Sequence, residues 1–209
     1  MTRPPRPPRL YAIADRQALA DLPLERAVAT MAEEGVGWIQ VRAKRTPGEQ
    51  LRRELEACCR RLEGTGVALW VDDRVDLAAL LPVAGVHVGQ EDLPPADSRR
   101  LLGRERWIGL STHSADQAAA AAADEAVDLL AVGPVFATAS KERPDPVVGL
   151  ELVREARRLT DKPLAAIGGI DADSAPRVLA AGADAVAVLG ALCRGDLRAN
   201  CRRLLEAVR

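Results

Sequence analysis

A chain of 209 residues, 48% of them apolar, is long enough to bury one substantial hydrophobic core. Charged residues make up 28% of the chain but balance to a formal net charge of −1. This balance argues against a nucleic acid or an anionic membrane as the main partner, because such partners bind surfaces with a cationic excess. No apolar segment has the length needed to cross a bilayer, and we expect a cytoplasmic protein with a small-molecule ligand.

The first nine residues, M-T-R-P-P-R-P-P-R, are rich in proline and arginine and lack the apolar segment of a secretory signal. We expect a flexible tail over residues 1–9 and a single catalytic domain over residues 10–209. The four cysteines form no C-x-x-C pair and have no histidine at metal-ligand spacing. We interpret them as reduced thiols.

One pattern recurs along the chain: an amphipathic helix, a turn, and a short strand of continuous apolar residues, typical of a parallel sheet buried on both faces. The pattern predicts eight strands, over Leu10–Ala14, Trp38–Val41, Val67–Val71, Gly85–Val88, Trp107–Leu110, Leu129–Val132, Leu164–Ile167 and Ala185–Leu189. The predicted helices include Leu24–Glu34, Gly48–Leu62, Ala115–Ala123, Leu150–Leu159, Ala172–Ala181 and Leu197–Val208. This alternation predicts an α/β fold, a single (β/α)8 TIM barrel. An open doubly wound sheet is the alternative, because periodicity does not show whether the first and last strands pair.

In both architectures, ligands bind beyond the carboxyl ends of the strands. The residues at or just after those ends are nearly all polar, charged or glycine: Asp15, Gln40, Arg42, Lys44, Asp72, Asp73, Gln90, Asp92, Ser111, His113, Gly133, Gly168, Gly169 and Gly190. Arg42 and Lys44 follow the second predicted strand, and Lys141 lies in the long sixth loop. Guanidinium and ammonium groups suit a polyphosphate, although charges on loops are often only solvated.

The carboxylates among these cations need a separate explanation. Asp73 and Asp92 would repel a bare phosphate, but Mg²⁺ held between them would bridge to the phosphate oxygens. We therefore predict a magnesium site at Asp73 and Asp92. The alternative for Asp73 is that it only caps a helix beginning near Arg74.

Three loops offer groups for an anionic ligand. The sixth loop, residues 133–149, places the hydroxyls of Thr138 and Ser140 beside Lys141 and could close over a ligand. The seventh and eighth loops contain I-G-G-I and V-L-G-A-L, and these two loops form the usual phosphate site of a barrel. For the glycine pair, a simple turn is the alternative.

The two histidines differ in their positions. His87 lies inside a strand pattern, which favours a packed or supporting role. His113 follows Ser111 at a strand end, where it is either a general acid/base or a hydrogen-bonding loop residue.

Taken together, six segments resemble the family of thiamine phosphate synthases, which includes the TenI-type thiazole tautomerases. The segments are Gln40–Lys44, Asp72–Ala78, Gly85–Pro94, Gly109–Ser114, Gly133–Lys141 and Ala166–Ile170. The resemblance covers the chain from about Leu10 to its end. It implies a transferase that joins 4-amino-2-methyl-5-pyrimidinylmethyl diphosphate to thiazole phosphate, with Mg²⁺ assisting the loss of pyrophosphate and the thiazole nitrogen capturing the pyrimidine cation.

The resemblance also implies roles for individual residues. Asp73 and Asp92 resemble the family's magnesium ligands, and Arg42 and Lys141 resemble its pyrophosphate clamp, with Lys44 nearby. The pyrimidine and leaving group would be oriented by two polar side chains, Gln40 and Ser111. The thiazole phosphate would be received by loop hydroxyls and backbone amides, at Thr138, Ser140, Gly168 and Gly190. Arg42, Ser111 and Lys141 would be the catalytic residues.

Three positions depart from the family's pattern. Asp72 stands where the family usually has asparagine, and an ionised carboxylate cannot donate a hydrogen bond to pyrophosphate. Gly190 replaces a serine, which removes a hydroxyl from the thiazole phosphate site. Lys44 lies in A-K-R where the family usually has R-E-K.

Two other functions remain open. One is a TenI-like thiazole tautomerase that uses His113 as acid/base, and the other is a non-catalytic barrel that binds a phosphorylated ligand, for which Asp72 and Gly190 are the hints. Asp73, Asp92 and Lys141 together favour the synthase. We expect phosphorylated small molecules as partners, no nucleic acid or membrane, and we leave a homodimer open.

Overall fold

Eight parallel strands close into a barrel in the computed structural model, which describes residues 7–138 and 145–209. The strands are β1 (Leu10–Asp15), β2 (Trp38–Arg42), β3 (Ala68–Asp72), β4 (Gly85–Val88), β5 (Trp107–Thr112), β6 (Leu129–Val132), β7 (Leu164–Ile167) and β8 (Ala185–Val188). Because β1 pairs with both β2 and β8, the TIM barrel is confirmed and the open sheet is excluded.

Helices cover the outside of the barrel. They are α1 (Leu24–Glu33), α2 (Gly48–Leu62), α3 (Val75–Leu80), α4 (Pro95–Leu102), α5 (Ala115–Ala123), α6 (Gly149–Leu159), α7 (Ala175–Ala180), α8 (Gly190–Cys193) and α9 (Leu197–Ala207). In α2, the buried residues Leu51, Leu55, Cys58 and Leu62 recur every three or four positions and form one apolar face. Such faces pack on outward-facing strand residues and build the larger hydrophobic core.

A second, separate core fills the inside of the barrel, because successive strand residues point alternately outward and inward. All three tryptophans of the chain and its one tyrosine lie there: Tyr11, Trp38, Trp70 and Trp107. The ring centroids of Trp38 and Trp70 are 4.8 Å apart, and those of Trp38 and Trp107 are 5.3 Å apart. Alanines on β6, β7 and β8 complete this interior core. A ligand must therefore bind above this packed interior, at the carboxyl end of the strands.

Several strands continue past their predicted ends into polar residues. β1 ends at Asp15, β2 at Arg42 and β3 at Asp72. Asp15 pairs in register with Arg42, and Asp72 pairs with His87. These charged residues therefore belong to the paired strands of the barrel wall rather than to loops, which restricts their movement.

The start of the chain is described from residue 7 onward, and the cysteines form no disulfide among the described residues. Residues 1–6 of the predicted tail lie outside the described residues, whereas the carbonyl of Arg9 accepts a hydrogen bond from the N–H of Val186 at 2.8 Å. All four cysteines are free thiols, and three of them are buried. None of the helices in residues 7–138 and 145–209 is long and apolar enough to cross a membrane.

Candidate active site

A cavity of about 970 Å³ opens at the carboxyl ends of the strands. Most of the predicted site residues line it: Gln40, Arg42, Lys44, Asp72, Asp73, Asp92, Ser111, Thr138, Gly168 and Gly190. Its volume lies near the upper end of the usual range for ligand pockets, which suits two small substrates bound side by side. The predicted Ser140 and Lys141 lie outside the described residues.

Two parts of this cavity differ in chemistry. We call Arg42, Lys44, Asp72, Asp73 and Asp92 the charged half; these residues follow or end β2, β3 and β4. We call Gly133, Gly168, Gly169 and Gly190 the glycine half; these residues follow β6, β7 and β8.

Arg42 is held between two carboxylates. Its Nη1 donates to Oδ2 of Asp15 at 2.5 Å, and its Nε lies 3.6 Å from Oδ2 of Asp72. Asp15 is itself fixed, because its Oδ1 accepts hydrogen bonds from the backbone N–H groups of Gln17 at 3.1 Å and Ala18 at 2.8 Å. The guanidinium is thus oriented before any ligand binds. The sequence places Asp15 at a strand end, but only its pairing with Arg42 reveals this role.

Asp72 is an unusual carboxylate because it is largely buried, with a side chain only 12% exposed. Its Oδ2 lies 3.7 Å from Nζ of Lys44 and accepts no hydrogen bond from another described residue. Burial, followed by repulsion from Asp73, raises the pKa of Asp72 to about 7, although Lys44 and Arg42 act in the opposite direction. A buried oxygen with unused hydrogen-bonding capacity is suited to contact a ligand or water.

Asp73 adopts the left-handed backbone region, with φ of 59°. Aspartate and asparagine tolerate this region better than most residues. Its N–H donates to the carbonyl of His87 at 2.8 Å, and its carboxylate contacts the ammonium of Lys44. The cap residue of α3 is Arg74, and no side-chain hydrogen bond caps that helix. The capping alternative for Asp73 is therefore wrong, and its carboxylate faces the cavity.

Asp92 fixes the turn after β4, because its Oδ2 accepts from the N–H of Gly89 at 2.7 Å. Asp92 also lies close to Asp73. Burial is the main cause of the raised pKa of Asp73, and a hydrogen-bonding contact with Asp92 raises it further. Over residues 7–138 and 145–209, no group of three or more histidine, cysteine, aspartate or glutamate side chains is arranged to hold a metal. The structure thus brings the predicted pair together, without a third protein ligand of these types among the described residues.

Neutral hydrogen bonds orient the polar groups on the floor of the cavity. Gln40 donates from Nε2 to the hydroxyl of Tyr11 at 3.0 Å, and burial raises the pKa of that tyrosine well above its usual value. The hydroxyl of Ser111 lies 3.0 Å from Nε2 of His87, while Gln90 donates to the carbonyl of Ser111 at 2.7 Å. His87 is therefore a packed residue that supports Ser111, as its position in a strand pattern predicts.

His113 also lines the cavity. Its Nδ1 lies 2.5 Å from the carbonyl oxygen of Gly133, and since a carbonyl only accepts, this nitrogen carries the hydrogen. The other ring nitrogen, Nε2, lies 3.6 Å from Oδ2 of Asp145. Nε2 of His113 therefore faces a carboxylate, an arrangement that is compatible with acid/base chemistry.

The two glycines of the seventh loop are required by close packing. Gly168 has φ of 101°, and a Cβ there would lie 2.5 Å from Cα of Pro134. Gly169 has φ of 64°, and a Cβ there would lie 2.5 Å from the carbonyl oxygen of Ala137. Within the described chain, neither glycine N–H donates to another protein group. The turn is thus real, and it also leaves two backbone donors beside the cavity.

The sequence predictions assigned no role to three residues that line or support this cavity. Tyr11 holds Gln40, and Asp15 holds Arg42. Arg194, directly after α8, lines the glycine half. A cation four residues beyond Gly190 was the only signal for Arg194 in the sequence.

Comparisons with known proteins agree on one family. Residues 10–192 match the sequence profile of the family described as "Thiamine monophosphate synthase". A thiamine-phosphate synthase of Koribacter versatilis (strain Ellin345) is 44% identical over 190 residues, which cover 88% of this chain and 89% of that relative. A thiamine-phosphate synthase of Myxococcus xanthus (strain DK1622) is 39% identical over 207 residues, covering 99% and 94%.

A solved structure agrees with these sequence matches. The thiamine phosphate pyrophosphorylase from Pyrococcus furiosus superposes with a TM-score of 0.85 at 31% identity, covering 96% of this chain and 95% of that chain. The resemblance, the fold and the enzyme class expected from the sequence are confirmed. This chain belongs to the thiamine-phosphate synthase family.

Proposed function

We propose that this transferase joins 4-amino-2-methyl-5-pyrimidinylmethyl diphosphate to thiazole phosphate, giving thiamine phosphate and pyrophosphate. The observation that carries this proposal is the presence of the charged half and the glycine half in one cavity. The charged half suits a diphosphate, and the glycine half suits a monophosphate. The reacting ends of both substrates would then meet between the two halves.

The bond changes need no side-chain base. The C–O bond to the diphosphate breaks and its electron pair leaves with the pyrophosphate, while the lone pair of the thiazole nitrogen forms the new C–N bond. Negative charge therefore grows on the leaving oxygens, where fixed cations stabilise it. Arg42 is positioned for this role by Asp15, and the predicted Lys141 would add a second cation from the sixth loop.

Lys44 remains charged in the charged half. Burial lowers the pKa of its ammonium, but the carboxylates of Asp72 and Asp73 outweigh burial and raise the pKa overall. Lys44 thus offsets the negative charge of these aspartates before substrate enters. A bound diphosphate would accept hydrogen bonds from the same ammonium.

The donor set of Asp73 and Asp92 fits Mg²⁺, which takes one or two carboxylates and keeps other sites for water and phosphate oxygens. When bound, magnesium would supply positive charge that stabilises the leaving pyrophosphate. Asp92 uses Oδ2 to hold the N–H of Gly89, which leaves its Oδ1 for the metal. Asp92 is one of the causes that raise the pKa of Asp73, because the two neighbouring carboxylates repel each other, and a divalent cation between them would relieve that repulsion.

Gln40 and Ser111 would orient the pyrimidine. The amide nitrogen of Gln40 donates to Tyr11, so its carbonyl oxygen is available to accept from the pyrimidine amino group. Ser111 is held by His87 at the adjoining wall. These are fixed, neutral contacts that select the ring without competing for the diphosphate.

The thiazole phosphate would bind at the glycine half. The N–H groups of Gly168 and Gly190 would donate to its oxygens, and the hydroxyls of Thr138 and Ser140 would approach from the sixth loop. The short helix α8 begins at Gly190, directly after β8. Barrels commonly bind phosphate at such an extra helix beyond the last strand.

The second candidate function is a thiazole tautomerase. It is favoured by His113, whose Nδ1 is fixed by Gly133 and whose Nε2 faces the cavity side near Asp145. A tautomerase needs this acid/base group but has no use for Arg42, Asp73 and Asp92 around a diphosphate. The charged half therefore favours the synthase.

The test is to mix the purified protein with Mg²⁺ and both precursors, and to measure thiamine phosphate by chromatography and pyrophosphate by a coupled assay. We expect the two products in a one-to-one ratio, and no product when Mg²⁺ is removed by a chelator. Rapid tautomerisation of a thiazole carboxylate phosphate without any thiamine phosphate would contradict the synthase and support the alternative.

A further inference from the structure

Arg194 brings a positive charge to the glycine half. It follows the last residue of α8, Cys193, and it lines the same cavity as Gly168 and Gly190. Arg194 is exposed to solvent. Gly190 is the first residue of α8 and contributes no side chain to the cavity.

Within residues 7–138 and 145–209, Arg194 differs from the other cations that line the cavity in having no carboxylate partner. Among the described residues, three arginine or lysine side chains line the cavity: Arg42, Lys44 and Arg194. Arg42 contacts Asp15 and Lys44 contacts Asp73, so the charges of both are already partly neutralised. The guanidinium of Arg194 makes no hydrogen bond or ion pair with another described residue, and its charge is available to a ligand.

A carboxylate also lies on the same side of the cavity as Gly168. Asp171 lines this side of the cavity, and its Oδ1 accepts hydrogen bonds from the N–H groups of Ser174 at 2.9 Å and Asp173 at 3.1 Å. The hydroxyl of Ser174 is the main cause of the lowered pKa of Asp171, which therefore stays ionised. A phosphate dianion placed nearby would be repelled unless a cation offset this charge.

We propose that Arg194 is a phosphate ligand that makes the glycine half prefer a phosphorylated thiazole over the corresponding alcohol. A guanidinium presents two parallel N–H donors that match two phosphate oxygens. Backbone N–H groups alone would donate hydrogen bonds to a phosphate or to a hydroxyl. Arg194 would contribute only when the ligand carries the negative charge of a phosphate. This assignment rests on the proposed function and adds a specificity-determining residue to it.

The experiment compares wild type with Arg194→Ala and Arg194→Lys in steady-state kinetics, with thiazole phosphate or the thiazole alcohol as the varied substrate. For Arg194→Ala, we expect the KM for thiazole phosphate to rise about tenfold, because one charged hydrogen-bonding group is lost. The KM for the alcohol, the KM for the pyrimidine diphosphate and kcat should change less than about twofold. The KM of Arg194→Lys for thiazole phosphate should fall between those of wild type and Arg194→Ala, since lysine keeps the charge but not the planar fork.

The matched control is Arg104→Ala. Arg104 is an exposed arginine in the loop between α4 and β5, which is at the opposite end of the barrel. Arg104→Ala changes the net charge of the protein by the same amount as Arg194→Ala. Because Arg104 lies far from the cavity, all KM values should stay at the wild-type level. An unchanged KM for thiazole phosphate in Arg194→Ala would overturn the proposal, as would an equal rise for phosphate and alcohol, which would indicate a structural role.

Failure of the proposed function can be separated from failure of this inference. If wild type makes no thiamine phosphate, calorimetric titration with thiazole phosphate still tests Arg194. An affinity about tenfold weaker in Arg194→Ala supports the assignment. Equal affinity in both proteins, or no binding to wild type, would refute it.

Discussion

The charged half and the glycine half would bind phosphate groups in opposite ways. The charged half uses side chains on the strand ends or directly after them, and each cation there already contacts a carboxylate. The glycine half uses backbone from the loops, where Gly168 and Gly169 allow close approach of the sixth and seventh loops. The charged half should therefore be sensitive to lost charge, and the glycine half to added volume.

The barrel interior beneath the charged half differs in side-chain size from the interior beneath the glycine half. The strands that carry the charged half contribute rings, including Trp38 and Trp70, whereas β6, β7 and β8 contribute alanines such as Ala165 and Ala187. Large and small residues from opposite walls together fill the interior. The cavity floor is therefore rigid under both halves, and differences in their behaviour should come from the rim.

Asp92→Asn should have the largest effect, because it removes charge from the proposed metal pair. We expect kcat to fall by about 100-fold and the Mg²⁺ concentration for half-maximal rate to rise. Steady-state rates at graded Mg²⁺ concentrations measure both quantities. The control is Asp97→Asn, the same chemical change at a half-exposed position in the first turn of α4, which should keep wild-type rates. Wild-type turnover in Asp92→Asn would show that the metal pair is misplaced.

Gly168→Ala should disrupt the glycine half without changing any charge. The added Cβ would meet Cα of Pro134 at 2.5 Å in a backbone conformation with φ of 101°. We expect a loss of about 2 kcal/mol in the free energy of unfolding, measured with denaturant, and a higher KM for thiazole phosphate. Gly64→Ala is the matched control, since Gly64 also has positive φ but has nothing within 4 Å of its added Cβ. Equal losses in both variants would mean that backbone strain, rather than packing in this half, explains the effect.

Asp15→Asn should lower activity about tenfold, because asparagine can still accept from the N–H of Ala18 but loses the charge opposite Arg42. The change should appear as a higher KM for the pyrimidine diphosphate, measured with thiazole phosphate in excess. The KM for thiazole phosphate serves as the internal control, since it reports on the glycine half. A parallel rise in both KM values would contradict a positioning role confined to the charged half.

Asp72→Asn should have the smallest effect on activity, within about threefold of wild type. It replaces a buried carboxyl by a neutral amide of similar size, so the Tm of the magnesium-free protein should rise. Thermal unfolding and steady-state rates measure the two outcomes. A severe loss of activity would instead assign Asp72 an essential charge in the charged half.

Local sequence signals predicted much of this site. Continuous apolar segments located all eight strands, and the residues that follow them lead to Arg42, Asp73 and Asp92 without any structure. The predicted strands ended one residue too early, before Asp15 in β1 and before Asp72 in β3, because a polar residue in the sequence resembles the start of a loop. In the barrel, such residues stay extended because they still pair with the neighbouring strand.

Other parts of the site depend on contacts that no local pattern contains. The bonds of Gln40 with Tyr11 and of Ser111 with His87 join different strands. The presence of Arg194 in the same cavity as Gly168 likewise depends on how α8 turns after β8. These contacts follow from the direction in which each strand residue points, which the barrel closure sets.

By itself, the sequence determined the succession of strands and helices and the chemical groups at the strand ends, because both follow from the order of apolar and polar residues. Only the tertiary structure decided that β1 closes on β8, that Asp15 holds Arg42, and that the charged half and the glycine half share one cavity. The physical reason is that closure fixes the register of all eight strands at once, and register decides which side chains meet.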